Sequence, residues 1–486
     1  MTASHETCGY TENPENLPDG IQALVCEEPL WNDEDRCIWH SETDDKPIGE
    51  LESEWDTAPS RIDGLYLVDS RVGDRLNFES KTLYSANFSD SDLTEANFRD
   101  AELDFADFCG SNLRSARFDT EDTTLTKAKF KKAKCKDTRF QRATLHNSNF
   151  ESAIANSVKM QHVDAADADF SDVKFHDAKL IDSNLRSVNL TNAELHQADC
   201  GRSNLEDACL KGADLRGISL VDADLFNADL RDAEINHETD FGTKICREYI
   251  ADHESEGKLV IQWTGRPENP NLKRGSNNTE YVGEARYVSD WNSYEEQLGR
   301  RHKFVLAISR LIHRIPGQTS ERSTSLLEES EEIYLNIKQL CRSNSVPEKQ
   351  RHFNIREKEI KRKRAYCEGS LSWCRWSILR WSMLYGESAK QVIVSALTTI
   401  LICAILYPIW GVQTTDDRTV EYSISGTVSV TDTLDILFFS LRRLISTSNG
   451  GYVPIGVSEW IALMQTTAGA LLVAMLVFTL GRRATT

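Results

Sequence analysis

No apolar core opens this chain. The first twenty residues, MTASHETCGYTENPENLPDG, lack the hydrophobic stretch of a secretory signal, so the soluble part is expected in the cytoplasm with reduced thiols. The twelve cysteines therefore do not read as a disulfide framework. A phosphate-binding loop, a nucleophile elbow and a His-Glu metalloprotease helix are all missing, and the eleven histidines gather around no carboxylate pair in sequence, so no enzyme is expected. Bases are scarce at the front: residues 1–60 hold only Arg36 and Lys46 against sixteen acids, whereas residues 349–383 hold ten bases and three acids. With a formal charge of -20 over 486 residues, this asymmetry argues for several distinct modules.

A strict five-residue period occupies the middle of the chain. In LRGISLVDADLFNADLRDAEI, residues 215–235, apolar side chains stand at Leu215, Leu220, Leu225, Leu230 and Ile235. The ladder runs back unbroken to Leu125, and an earlier arm runs from Phe78 to Phe118. Neither a helix, with its period of 3.6, nor a strand, with its period of two, gives this spacing. Two positions before many of these centres stands a small residue, such as Ala96, Ala106 or Ala223, with a polar residue between the two. Small residue and centre face inward, the polar one faces water, and two more residues turn a corner. Four such sides close a coil of twenty residues. Phe78, Phe98 and Phe118 are twenty apart, as are Phe88 and Phe108, so like side chains stack on like. The step from Phe118 to Leu125 is seven, which predicts two extra residues bulging at a corner. Thirty-two sides make about eight coils and a rod roughly 40 Å long.

Residues 76–240 resemble the pentapeptide-repeat family, whose repeat reads A-[DN]-L-x-x. The resemblance implies a right-handed quadrilateral β-helix. Some members bind topoisomerases as DNA mimics. Here 31 acids stand against 20 bases, and Lys127–Arg142 concentrates eight bases, which reads as a docking or solvated face and not as a nucleic-acid site.

Three further regions complete the chain. Within residues 1–60, Cys8, Cys26, Cys37 and His40 offer three thiolates and an imidazole, a donor set suited to tetrahedral Zn²⁺; C-x2-H at Cys37 and His40 lets one turn supply two ligands. A segment this polar has little core of its own, and a structural zinc would account for its order. Free thiols in a loose tail are the alternative. Residues 244–297 read as an irregular linker in which KLVIQW could form a strand. From 298 to 390 the pattern is helical. One apolar face holds Phe304, Ile308, Leu311, Ile312 and Ile315; another holds Leu326, Leu327, Ile333, Tyr334, Ile337 and Leu340. The spacing predicts a packed helical hairpin leading to a bilayer, with the basic KEIKRKR run and Trp373, Trp376 and Trp381 at its surface.

Gln391–Val412 and Trp460–Leu480 are uncharged runs of 22 and 21 residues, each long enough to cross a bilayer. Bases before the first and Arg482 and Arg483 after the second put both termini in the cytoplasm of a two-span cell-membrane protein, with 413–459 outside. That outer stretch carries a short apolar helix, Leu434–Ile445, followed by a Ser/Asn/Gly segment. Residues 391–483 resemble the two-span fold of potassium channels, whose filter reads T-x-G-Y-G. On that resemblance Thr447, Ser448, Asn449, Gly450, Gly451 and Tyr452 are filter candidates for monovalent ions, and a re-entrant pore loop is expected. Val453 stands where the second glycine belongs. A pore would require a homo-oligomer, four copies by the resemblance. The resulting expectation is an ion-channel-like membrane domain (391–486) joined to a β-helical domain (61–243) that senses or docks a cytoplasmic protein. A pore-less, membrane-tethered scaffold and a topoisomerase-binding DNA mimic fit the same residues.

Overall fold

The computed structural model describes residues 7–32, 34–248, 251, 321–414, 419–420, 430–445 and 452–484. The chain divides into two units, Met1–Gln350 and Arg351–Thr486. The expected KLVIQW strand, the Phe304–Ile315 face and the filter candidates Thr447 to Gly451 lie outside the described residues.

The first unit is a four-sided parallel β-coil. Isolated parallel bridges link each outward residue to its counterpart one coil on, from Arg61–Thr82 through Asn87–Asp107 and Asn97–Arg117 to Ser219–Asp240. Each side carries hydrogen bonds up and down: the Phe88 N–H donates to Asp107 O at 2.7 Å, and the Asp107 N–H donates to Ala86 O at 2.8 Å. The corners are β-turns closed by bonds such as Ala86 N–H to Leu83 O, 3.2 Å. Their third residue has positive φ, as at Ser85 (57°), Asp90 (56°), Asn147 (55°) and Gly212 (69°). Such turns require a left-handed residue there, and Asn, Asp and Gly reach that conformation at least cost. The repeat's polar corner position thus has a backbone reason.

Inside, the centres and the small residues two before them are buried. Phe78, Phe98, Phe118 and Phe140 form one stack, with centroids 4.6, 4.8 and 4.8 Å apart. Phe88, Phe108, Phe130 and Phe150 form the opposite stack at 5.0, 4.9 and 4.3 Å. The two rows meet edge to face, as for Phe78 and Phe88 at 5.4 Å. The seven-residue step behaves as its spacing predicts. Bridges across it join residues twenty-two apart, such as Glu102 and Thr124, and the hydroxyls of Thr120 and Thr123 accept from the Asp100 N–H.

A solenoid exposes unpaired backbone and core at both ends, so each end needs a cover. At the start, residues 7–60 lie over the first coil. Trp39 packs on Trp55, the last residue of α1 (Ile48–Trp55), and Trp55 packs edge-on against Phe78. At the other end the cover is α2 (Glu321–Ser343). Asn344, just beyond it, accepts from the Ile235 N–H at 3.1 Å and donates to Ala233 O at 2.9 Å, replacing a further coil. The Tyr334 hydroxyl accepts from the Ile245 N–H at 3.1 Å and donates to Glu248. Buried Arg247 joins Asp224 (2.9 Å), Glu206 (3.5 Å) and Glu329 of α2. The helix that carries the Leu326–Leu340 face, expected from sequence in a helical hairpin, thus also covers the end of the β-helix. An amphipathic pattern tells that a face is buried but not against what.

The second unit is helical: most of α3 (Pro347–Cys367), whose first turn belongs to the first unit, then α4 (Ser372–Met383), α5 (Ala389–Trp410), α6 (Val430–Ile445) and α7 (Val457–Ala484). A small antiparallel sheet of β1 (Val412–Thr414), β2 (Thr419–Val420) and β3 (Tyr452–Pro454), with β1 central, closes one end. Between α4 and α5 the chain turns through Leu384 and Tyr385, both left-handed at φ 47° and 57°. Side chains of α3 clamp this corner. Lys358 donates to Tyr385 O at 3.0 Å, and the Tyr385 hydroxyl donates to Glu359 at 2.7 Å. Arg362 and Arg380 pair with the same carboxylate at 2.5 and 3.1 Å.

Burial alone would favour the neutral form of Glu359, but the bonds from Arg362 and Tyr385 outweigh it and bring the carboxyl down to about 2, from 4.5. A depressed carboxyl stabilises the fold above its unfolded value, and that contribution is lost as pH falls from about 4.5 towards 2. Trp376 lies 6.3 Å from Tyr385 and reports on the corner. Its fluorescence should stay constant down to about pH 4.5 and change only below, whereas Glu359→Gln should show the altered signal already at pH 7.

Candidate functional site

Among the described residues, two places gather chemistry. The first is the N-terminal cover, where Cys8, Cys26, Cys37 and His40 come together with all four ligand atoms within 4.8 Å of one another. Cys8 and Cys26 stand on facing segments joined by hydrogen bonds such as Gly9 N–H to Cys26 O, 2.9 Å. Cys37 and His40 share one turn, closed by the His40 N–H on Cys37 O at 3.1 Å. The Cys37 sulfur lies 3.2 Å from His40 Nδ1, the Cys8 sulfur 3.5 Å from the same atom, and the Cys26 sulfur 3.8 Å from that of Cys37. On its other side His40 Nε2 bonds to Asp63 O at 2.8 Å, and the Tyr10 ring stacks on the imidazole at 4.2 Å. The hydrogen bond shared with Cys37 holds the Cys26 thiol below its ordinary range. The four sequence-predicted residues thus meet. Asp63 and Tyr10, which orient the imidazole, carry no signal in the sequence, because a backbone carbonyl and a stacking ring follow from the tertiary fold.

The second place is the bundle of α5, α6 and α7. α5 and the stretch Val457–Gly481 of α7 are the two helices among the described residues long and apolar enough to cross a membrane. Large apolar side chains point outward along both: Ile393, Leu397, Leu401 and Ile405 on α5, and Leu463, Leu471, Val477 and Phe478 on α7. A soluble core helix would bury them.

A buried polar chain ties the three helices together. The Tyr407 hydroxyl donates to Gln465 Oε1 at 2.6 Å. Gln465 Nε2 donates to the carbonyl and hydroxyl oxygens of Ser440 at 2.9 and 2.6 Å. Ser440 in turn donates to Ile400 O at 2.8 Å. Every polar atom of the Gln465 side chain is engaged, as an apolar surrounding demands.

The seat of α6 sets the geometry. Its upper residues Ile436 and Phe439 pack with Cys403, Tyr407, Val412 and Ala462. Its lower residue Leu444 packs with Val392, Ile400 and Leu472. There the Leu444 carbonyl comes so close to Gly469 that a Cβ on the glycine would lie 1.8 Å from the oxygen. Ile400 and Gly469 stand near the middle of their helices, so α6 ends half-way along the pair. Yet Tyr452, seven residues past Ile445, is paired with Thr414 beyond the end of α5. Of the filter candidates, Tyr452 is therefore seen in β3, half-buried and 5.9 Å from Phe439. Gly469, Gln465 and Ser440 were not singled out from sequence. A glycine and a glutamine inside an apolar span are signals that could have found two of them.

Together these features define a four-sided parallel β-helix followed by a helical unit with two long apolar helices. The family profile for pentapeptide repeats matches in eight copies over residues 82–119, 121–154, 168–207 and 203–237. The chain thus carries a region of pentapeptide repeats and two helices long and apolar enough to span a membrane. Among solved structures it is similar to HetL, a pentapeptide repeat protein involved in heterocyst differentiation regulation in the cyanobacterium Nostoc sp. strain PCC 7120 (21% identity, 38% of this chain and 94% of that one, TM-score 0.28). It is also similar to a pentapeptide repeat protein of the Arabidopsis thaliana thylakoid lumen (26%, 20% and 66%, TM-score 0.19). A third likeness is to QnrB1, a plasmid-mediated fluoroquinolone resistance protein (20%, 41% and 99%, TM-score 0.18). Comparison with curated proteins finds no match.

Proposed function

We propose that the second unit is a membrane pore of the two-span, re-entrant type, and that the β-helix is its docking or sensing module. The observation that carries this reading is the path of the chain around α6: helix to mid-span, then return to the end of α5 by Tyr452. Backbone carbonyls of a segment that enters a bilayer part-way and returns can face a monovalent ion, and non-helical backbone at that depth is tolerated only where protein or a water-filled cavity surrounds it.

Assembly follows from the same bundle. Leu434, Phe438, Leu441 and Ile445 are spaced by four, three and four along α6 and stay exposed in a single chain. Two spans cannot enclose a pore, and neighbouring copies around an axis, four by the channel resemblance, would cover this face. The basic residues flanking the spans orient both termini to the cytoplasm, where the β-helix would meet a protein partner. The order of β-helix, helices and first span offers a covalent route by which such a partner could pull on the pore.

The test is conductance. Purified full-length protein in a planar bilayer should pass current in potassium, sodium or chloride salts, and deletion of residues 413–459 should abolish it while partner binding persists. Silence of the intact protein in all three salts would leave a tethered scaffold in place of a pore.

A further inference from the structure

The N-terminal cover has little regular structure to hold it: a short 3-10 turn at Pro14–Asn16, one helix of eight residues and two isolated antiparallel bridges, Thr7–Pro29 and Thr11–Val25. Yet three cysteines and a histidine from three separate stretches converge in it, with Cys8, Cys37 and His40 buried. We propose that Cys8, Cys26, Cys37 and His40 bind one Zn²⁺ through three sulfurs and Nδ1, and that this ion clamps the cover onto the first coil of the β-helix.

The distances fit the ion. Tetrahedral zinc with bonds of about 2.3 Å to sulfur and about 2.05 Å to nitrogen separates two sulfurs by about 3.8 Å and a sulfur from a nitrogen by about 3.6 Å. The structure has 3.8 Å between Cys26 and Cys37, and 3.5 and 3.2 Å from His40 Nδ1 to Cys8 and Cys37. The imidazole is already set for the task. With Nε2–H on the Asp63 carbonyl, the free lone pair of Nδ1 faces the sulfurs, which is the outer hydrogen bond that metal-bound histidines make. A Cys26–Cys37 disulfide would leave that lone pair and Cys8 without a purpose. Three thiolates and a neutral imidazole around Zn²⁺ carry one net negative charge. Arg36, bonded to Cys8 O at 2.7 Å and lying over the Tyr10 ring, stands close enough to offset it. Four protein ligands leave no open position, so the ion is structural and not catalytic.

The site also explains how the cover stays on. His40 reaches Asp63, and the neighbouring Trp39 O accepts from the Tyr66 N–H at 2.7 Å; both partners belong to the first coil. From Trp39 the contact runs through Trp55 to Phe78, the first ring of the buried stack. Losing the ion would free the ligand loops first and then open this aromatic chain to water.

The test uses the full-length protein in detergent. Elemental analysis should find one zinc per chain, falling to none in Cys37→Ser and in His40→Ala but unchanged in Cys109→Ser, whose thiol sits outside the cluster. Exchange of zinc for cobalt in the wild-type chain should give the visible bands of tetrahedral, thiolate-bound Co²⁺, which needs no variant to fold. A strong chelator should make residues 7–60 the first segment cut by protease, with the β-helix intact, and zinc should reverse the effect. The proposal is overturned if the protein holds no zinc after purification and takes up no cobalt, if Cys37→Ser and His40→Ala keep their metal, or if a Cys26–Cys37 disulfide is found by mass.

Discussion

Gly469→Ala is expected to disable the second, helical unit, although it adds a single methyl group. The new Cβ would stand 1.8 Å from the Leu444 carbonyl oxygen, which is backbone and cannot rotate away. Ordinary carbon–oxygen contact is about 3.3 Å or more, so the end of α6 must retreat by about 1.5 Å. That displacement pulls Ser440 from Ile400 and Gln465 from Ser440, leaving buried polar atoms unpaired. Overpacking and lost bonds together should cost about 3 kcal/mol. Gly481 on the same helix is the control, because a Cβ there meets nothing within 4 Å. Gly481→Ala should leave behaviour unchanged or slightly improve it, since alanine favours a helix over glycine by about 1 kcal/mol. Thermal unfolding in detergent, read by loss of the monodisperse peak on gel filtration, distinguishes the two. Equal midpoints would show that α6 is not seated against Gly469.

The other large effect is expected in the β-helix. Phe130 is fully buried, stacked between Phe108 and Phe150 at 4.9 and 4.3 Å and edge-on to Phe118 and Phe140 at 6.4 and 5.6 Å. Phe130→Ala leaves a cavity that the coils above and below cannot close, because the hydrogen bonds of the repeat fix their spacing. The loss should be about 3–5 kcal/mol. In a solenoid each coil is held only by its neighbours, so the damage splits the stack in two. Phe105→Ala is the matched control. That ring sits at a corner under Lys127 and outside the stack, and its removal should cost under about 1 kcal/mol. Denaturant unfolding followed by circular dichroism in the β region measures both. A Phe130 variant as stable as the Phe105 variant would contradict the double Phe stack.

The β-helix was the part of the fold most open to sequence reading, and the reason is mechanical. A coil of twenty residues repeats its environment every five and every twenty, so Phe78, Phe98 and Phe118 announce both periods. Even the seven-residue step to Leu125 kept the register, because a bulge at a corner does not disturb the sides. The ends were less legible. Residues 7–60 and α2 are covers whose faces match one particular coil; Asn344 serves Ala233 and Ile235 across more than a hundred residues, and no local pattern encodes that pairing. In the second unit, length and lack of charge marked α5 and α7 as helices able to cross a membrane. The chain of Tyr407, Gln465, Ser440 and Ile400 needed the fold, since its members lie on three helices. The metal cluster stood between these cases. The residue types and the Cys37–His40 spacing named the four donors, while the Asp63 carbonyl that aims His40 came only from the structure.

The proposed pore stands on assembly, and the mass of the purified particle tests it most directly. Light scattering of full-length protein in detergent, with the detergent contribution subtracted, should give a protein mass of about four times the 55.0 kDa chain. A particle of a single chain would contradict it, because one copy of α5, α6 and α7 leaves the Leu434–Ile445 face uncovered and encloses no path for an ion.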